Sequence, residues 1–123
     1  MQTVIQTPEF LSDAKGSGLS DDDREAIVAE VAAEPLIGDI MEGTGGCRKR
    51  RFTGRGKGKS GGYRTVHYYG GDDVPVVLLA LINKGETENL SKAERNALRK
   101  ELAGYAKDYR KGVAQKIAVL RRG

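Results

Sequence analysis

The sequence predicts an α+β fold, with two short N-terminal helices packed on a small antiparallel β-sheet and a longer helix closing the chain. Three observations carry this. Helix-capping residues open segments at Thr7, Ser20 and Ser91. Eleven glycines fall between Gly38 and Gly71, too many for helix. Within and just after that stretch, "YRTVHYY" is aromatic and β-branched, and "PVVLLALI" is apolar throughout. With 123 residues and 38% hydrophobic content, the chain is about the size of one small domain.

In chain order, "TVIQ" alternates and is β-branched, which reads as a short first strand. A helix follows, with Thr7 as N-cap, Pro8 at its first position, Glu9 in the first turn and Gly16 as its stop. The second helix has Ser20 as cap and Asp21, Asp22 and Asp23 where the helix dipole favours negative charge. Ile27 and Val31 share one of its faces, and Pro35 ends it. "CRKRRF" and "YRTVHYY" then read as strands. "GGDD" reads as a hairpin turn, and "PVVLLALI" as a central strand buried on both faces. Ser91 and Glu94 form a capping box for the last helix, whose inner side carries Ala97, Leu98, Leu102, Tyr105 and Tyr109. Gly112 is expected to interrupt it. The chain is therefore divided into a domain over 1–112 and a basic amphipathic tail over 113–123.

Charge is sharply partitioned. Residues 1–46 hold ten acids against two bases, for −8. Residues 47–70 hold eight bases and no acid, for +8, and residues 71–123 hold eleven bases against seven acids, for +4. A single-sign field of this density attracts polyanions and releases their counterions, so nucleic acid is the first partner to consider. A solubilising basic loop is the blander reading. No apolar run approaches the roughly 20 residues that cross a bilayer, and "MQTVIQTPEF" lacks the pattern of a signal peptide. Cys47 is the only cysteine, so no internal disulfide and no cysteine-based zinc site can form. A cytoplasmic protein without a metal or cofactor is expected.

The stretch "GRGKGKSGGYR" invites comparison with a phosphate-binding loop, but the spacing fails. Four residues must separate the first glycine from Gly-Lys-Ser, which would require glycine at Thr53. Such a loop also leads into a helix, whereas this one leads into a strand. Arg55, Lys57 and Lys59 instead alternate with glycine, so in extended backbone all three point the same way, and Arg64 follows on the next strand. Crowded cations bind phosphate and lower the pKa of a lysine toward the range where it can accept a proton. Cleavage of RNA by its own 2′-hydroxyl needs a base, a donor to the leaving 5′-oxygen and positive charge on the phosphorane. Lysine and arginine can supply all three, although they serve equally for binding without cleavage.

Taken in order, "TPEFLSDAK", "GDIMEGTGGCRKRRF", "GRGKGKSGGYRTVHYY", "VVLLALINKGETENLSKAE" and "LRKEL" resemble the RelE superfamily of bacterial toxins, in particular its HigB-like branch. The resemblance spans residues 4 to 102. It implies a fold like that of microbial ribonucleases and a ribosome-dependent endoribonuclease that cuts the mRNA codon in the decoding site. It also implies restraint by an antitoxin encoded beside the toxin, expected to carry a helix-turn-helix. By position, Arg55 and Lys57 match the paired basic residues of the family motif, with Lys57 as proton acceptor. Arg64 matches the arginine that stabilises the phosphate, and Lys84 falls where a further basic residue completes the catalytic set. Lys59 matches an additional RNA-binding cation. The family's late base-stacking tyrosine has no counterpart at its usual place.

Other residues are weighed singly. Arg48, Lys49, Arg50 and Arg51 fall on both faces of their strand, and Arg48, Arg50 and Arg51 are assigned to RNA binding alongside Lys59. Tyr68 shares the face of Arg64 and is assigned to stack on a base, against the alternative that it closes the sheet. His67 points the other way, with Tyr63 and Thr65, and is read as a packing residue rather than a catalytic one. Cys47 is read as structural. The rivals to an mRNA-cleaving toxin are a basic protein that binds RNA or the ribosome without cutting, and a DNA gyrase poison of the related ParE type.

Overall fold

The computed structural model describes residues 2–53, 62–83, 86 and 90–122. Along the chain run β1 (Val4–Gln6), α1 (Pro8–Gly16), α2 (Asp21–Ala33), β2 (Asp39–Ile40), β3 (Cys47–Thr53), β4 (Gly62–Tyr68), β5 (Val76–Asn83) and α3 (Lys92–Arg122). The capping residues act as the sequence indicates. Thr7 Oγ1 accepts from the Phe10 N–H at 3.2 Å and Ser20 Oγ from the Asp23 N–H at 3.0 Å. Ser91 and Glu94 exchange bonds of 3.0 and 3.1 Å, closing the capping box that starts α3.

The five strands form one sheet in the order β1-β5-β4-β3-β2. It is mixed rather than wholly antiparallel, because β1 lies parallel to β5, with Val4 opposite Val76 and Gln6 opposite Leu78. Helices α1 and α2 separate β1 from β2 in the chain and carry it to the far side of the sheet. β1 is thereby left to fill the edge beside apolar β5. β2, absent from the sequence reading, is only two residues long and begins just after Gly38. Gly38 has φ of +119°, and a Cβ there would sit 2.8 Å from the Lys49 carbonyl oxygen, so glycine is what lets this edge lie against β3.

Helices cover both faces. Phe10, Ile27, Val31, Phe52, Val76, Leu78 and Leu81 form the core under α1 and α2, while Met41, Cys47, Val66, Tyr68, Val77 and Leu102 form the core under α3. β5 feeds both cores, as a continuous apolar run requires. A register shift where β5 passes Val66 and His67 inserts one extra residue. Leu78 and Leu81, three apart, can then both face α1 and α2.

His67 is a packing residue, fully buried on the α1/α2 face. Its Nε2 lies 2.7 Å from the Pro35 carbonyl oxygen, which can only accept, so the neutral ring carries its proton there. Burial holds the imidazole pKa below its ordinary value. The Pro35 bond opposes that shift, and Arg48 and Arg50 reinforce it. A lowered folded-state pKa means that the unfolded chain takes up the proton first as pH falls. Stability from this residue is therefore complete above the unfolded pKa, near 6.5, and is lost as pH drops below it. Urea unfolding at pH 7.5 and 5.5 should show the lower stability at pH 5.5, with that difference much reduced in His67→Gln.

Gly112 does not interrupt α3, contrary to the sequence expectation. A glycine inside a helix costs about 1 kcal/mol relative to alanine, and Lys111, Ala114, Gln115, Lys116 and Ala118 around it favour helix. Arg110 ties the helix to the β4–β5 connection, its Nε 2.7 Å from Asp73 Oδ2 and its Nη2 2.9 Å from the Gly70 carbonyl. From Lys107 onward every described residue is exposed, and the last buried one is Ala106. Removing residues 113–123 should therefore move the thermal midpoint by no more than about 2 °C, measured by circular dichroism.

Candidate nucleic-acid interface

Ladder register places the cations. On the face covered by α3, the strands carry three successive rows. Cys47, Tyr68 and Val77 form one row, Lys49, Val66 and Ala80 the next, and Arg51, Arg64 and Ile82 the third. Leu98, Leu102 and Tyr105 of α3 pack into the same core as the first row. The third row adjoins the end of the β3–β4 ladder, where Thr53 pairs with Gly62. Arg51 and Arg64 therefore stand directly opposite each other on neighbouring strands. Like charges so placed destabilise a sheet, and a phosphate between them would remove the repulsion.

Arg51 is exposed and Arg64 half-buried. Arg64 Nη2 donates to the Glu86 carbonyl oxygen at 2.6 Å. Among the described residues no carboxylate forms an ion pair with either arginine. A cavity of about 380 Å³ opens beside them, lined by Ile37, Gly38, Asp39, Lys49, Arg50, Arg51 and Arg64. Asp39, opposite Lys49 in register, is the one acid among the described residues of that lining. The cavity is large enough for a nucleotide-sized group and has the charge to hold a phosphate.

The structure brings together only some of the residues singled out from sequence. Arg64 and Arg51 share the open row. Arg48 and Arg50 point to the opposite face, with His67 and Thr65 as register neighbours. Arg48 Nη1 donates to the Gly38 carbonyl at 3.0 Å. Arg50 is buried, donating to the Glu30 and Glu34 carbonyls at 3.2 and 3.3 Å with its guanidinium 4.8 Å from the Phe52 ring centre. Tyr68 is only 5% exposed and meets Tyr105 edge-on, ring centres 6.3 Å apart, so its ring closes the core under α3. Arg55, Lys57, Lys59 and Lys84 lie outside the described residues. Cys47 is buried in the same core, and burial pushes its thiol pKa up, as suits a structural residue.

Two contributors were missed from sequence. The Glu86 carbonyl is a backbone group, which no residue pattern reveals. Asp39 sits on a two-residue strand too short to leave a periodic signal. Among the described residues there is no cluster of three or more histidine, cysteine, aspartate or glutamate side chains able to hold a metal ion, and no helix long and apolar enough to cross a membrane.

The family model of the RelE toxin of the RelE/RelB toxin–antitoxin system matches residues 2–122. Nearly the whole chain is covered, from β1 through the end of α3, and the mixed sheet with its three helices agrees with that fold. The chain thus belongs to the RelE family of toxins from toxin–antitoxin systems.

Proposed function

We propose that this toxin cleaves mRNA in the decoding site of the ribosome, by attack of a ribose 2′-hydroxyl on the adjacent phosphate and without a metal ion. Toxins of the family are generally endoribonucleases. The observation that carries the reading for this chain is the open row in which Arg51 and Arg64 face each other, with no ion pair to a carboxylate among the described residues. Positive charge fixed in advance where a phosphorane develops lowers the barrier to forming it. Arg64 takes the scissile phosphate, and Arg51, with Arg55 and Lys59, holds the strand. Lys57 accepts the 2′-hydroxyl proton as the 2′-oxygen bonds to phosphorus. The phosphorus–5′-oxygen bond then breaks and the leaving oxygen takes a proton from the cationic set that Lys84 completes. Arg55, Lys57 and Lys59 belong to the segment joining Thr53 to Gly62, the register pair next to this row.

Restraint by an antitoxin with a helix-turn-helix, and a cytoplasmic site of action, belong to the same proposal. The test is to incubate purified protein with mRNA-programmed ribosomes in the presence and absence of a chelator and to map the mRNA 5′ ends. New ends at the decoding site in both conditions, and none on free mRNA, are expected. An intact message with the protein bound would leave a non-catalytic RNA-binding role in its place.

A further inference from the structure

We infer that Glu86 is a positioning residue for the catalytic arginine, holding the Arg64 guanidinium in place without neutralising it. The inference rests on the reading of Arg64 as the phosphate-contacting group. The Glu86 N–H donates to the Asn83 carbonyl at 3.1 Å, and the Glu86 carboxylate Oε1 accepts from the Asn83 N–H at 3.0 Å. Two reciprocal bonds between the same two residues tie Glu86 to Asn83. Asn83 is the last residue of β5 and pairs in register with Tyr63, directly beside the row of Arg64 and Ile82. Glu86 is thus fastened to the sheet next to Arg64, and its carbonyl is the one that receives Arg64 Nη2 at 2.6 Å.

The choice of acceptor matters chemically. A carboxylate on Arg64 would orient the side chain but compete with the phosphate for its charge. A carbonyl oxygen accepts one of the five guanidinium N–H groups and leaves the full positive charge for substrate. The carboxylate of Glu86 is itself engaged with the Asn83 backbone amide, so it anchors Glu86 to β5 rather than pairing with the arginine. An acidic residue can in this way sit beside an anion-binding site and serve it. Losing the side-chain acceptor on Glu86 removes one of its two ties to Asn83, its carbonyl drifts, and Arg64 samples orientations that are unproductive for phosphate.

The test compares Glu86→Ala and Glu86→Gln with wild type in single-turnover cleavage on programmed ribosomes. Glu86→Gln retains Oε1 as an acceptor and should cleave at close to the wild-type rate. Glu86→Ala should be slowed roughly tenfold with ribosome affinity unchanged, since net charge at Arg64 is intact and only its placement suffers. In an Arg64→Lys background, whose ammonium lacks the planar guanidinium that the Glu86 carbonyl orients, Glu86→Ala should add little further loss. Position is also read without activity. The Arg64 guanidinium N–H signals in an arginine-labelled NMR spectrum, sharp when the group is held, should broaden in Glu86→Ala and persist in Glu86→Gln. Three results would each overturn the inference: a glutamine variant as slow as the alanine variant, a Glu86→Ala loss equally large with and without Arg64→Lys, or unchanged Arg64 signals in Glu86→Ala. Full cleavage by Arg64→Ala would instead remove the reading of Arg64 on which it stands.

Discussion

Arg64→Ala should abolish growth arrest and slow mRNA cleavage on the ribosome by about 100-fold or more, the scale of removing one preorganised donor from a charge-stabilising site. It should do so while keeping the thermal midpoint within about 2 °C of wild type. Two opposing terms support that second expectation. The substitution removes one hydrogen bond to the Glu86 carbonyl, and it relieves the repulsion between Arg64 and Arg51 opposite it. No apolar core is opened, since Arg64 belongs to neither buried cluster. Measuring cleavage and thermal unfolding on the same preparation separates a lost catalytic group from a lost fold. An Arg64→Ala protein that still cuts at the wild-type rate would exclude this arginine from the site. Arg51→Ala makes a useful companion. Arg51 is exposed and has no partner among the described residues, so its removal should weaken binding in a salt-dependent way more than it slows the cut.

The elements with strong local chemistry are legible in the sequence itself. Pro8 after Thr7, the Asp21–Asp23 run after Ser20, and the Ser91–Glu94 box each mark a helix start through backbone N–H groups that a side chain must satisfy. β3, β4 and β5 were legible from composition. What escaped was non-local. The parallel placement of β1 depends on where two intervening helices deliver the chain, and β2 is held by its neighbour rather than by its own residues. Strand alternation put Arg48 and Arg50 on one face and Lys49 and Arg51 on the other. Which face stays open depends on where α1, α2 and α3 dock, and that is a property of the packed molecule. One signal could have sorted them: Phe52 follows Arg50 at strand spacing, and a large apolar side chain marks a covered face. Glu86 acts through its carbonyl, and backbone geometry of that kind leaves no trace in residue type.

The same logic makes Arg50 a fold residue of unusual weight for a cation in a basic segment. Helix α2 opens with three aspartates but has no basic residue in its last turn, so the negative end of its dipole has no local counterpart. Arg50 reaches across from β3 to supply it, its side chain only 8% exposed, donating to the Glu30 and Glu34 carbonyls and lying 3.4 Å from the Glu30 carboxylate. Its guanidinium also covers the Phe52 ring. Arg50→Ala removes all of these contacts and leaves a void beside Phe52. It should destabilise the protein by about 3 kcal/mol, lowering the thermal midpoint by about 10 °C. Arg50→Lys keeps the charge but cannot fork between two carbonyls or stack on the ring, so it should recover only part of the loss. Activity in the two variants should follow the folded fraction, and cleavage per folded molecule should match wild type. If Arg50→Ala instead kept its midpoint and lost cleavage, the arginine would belong with Arg51 and Arg64 after all, and the C-terminus of α2 would not depend on it.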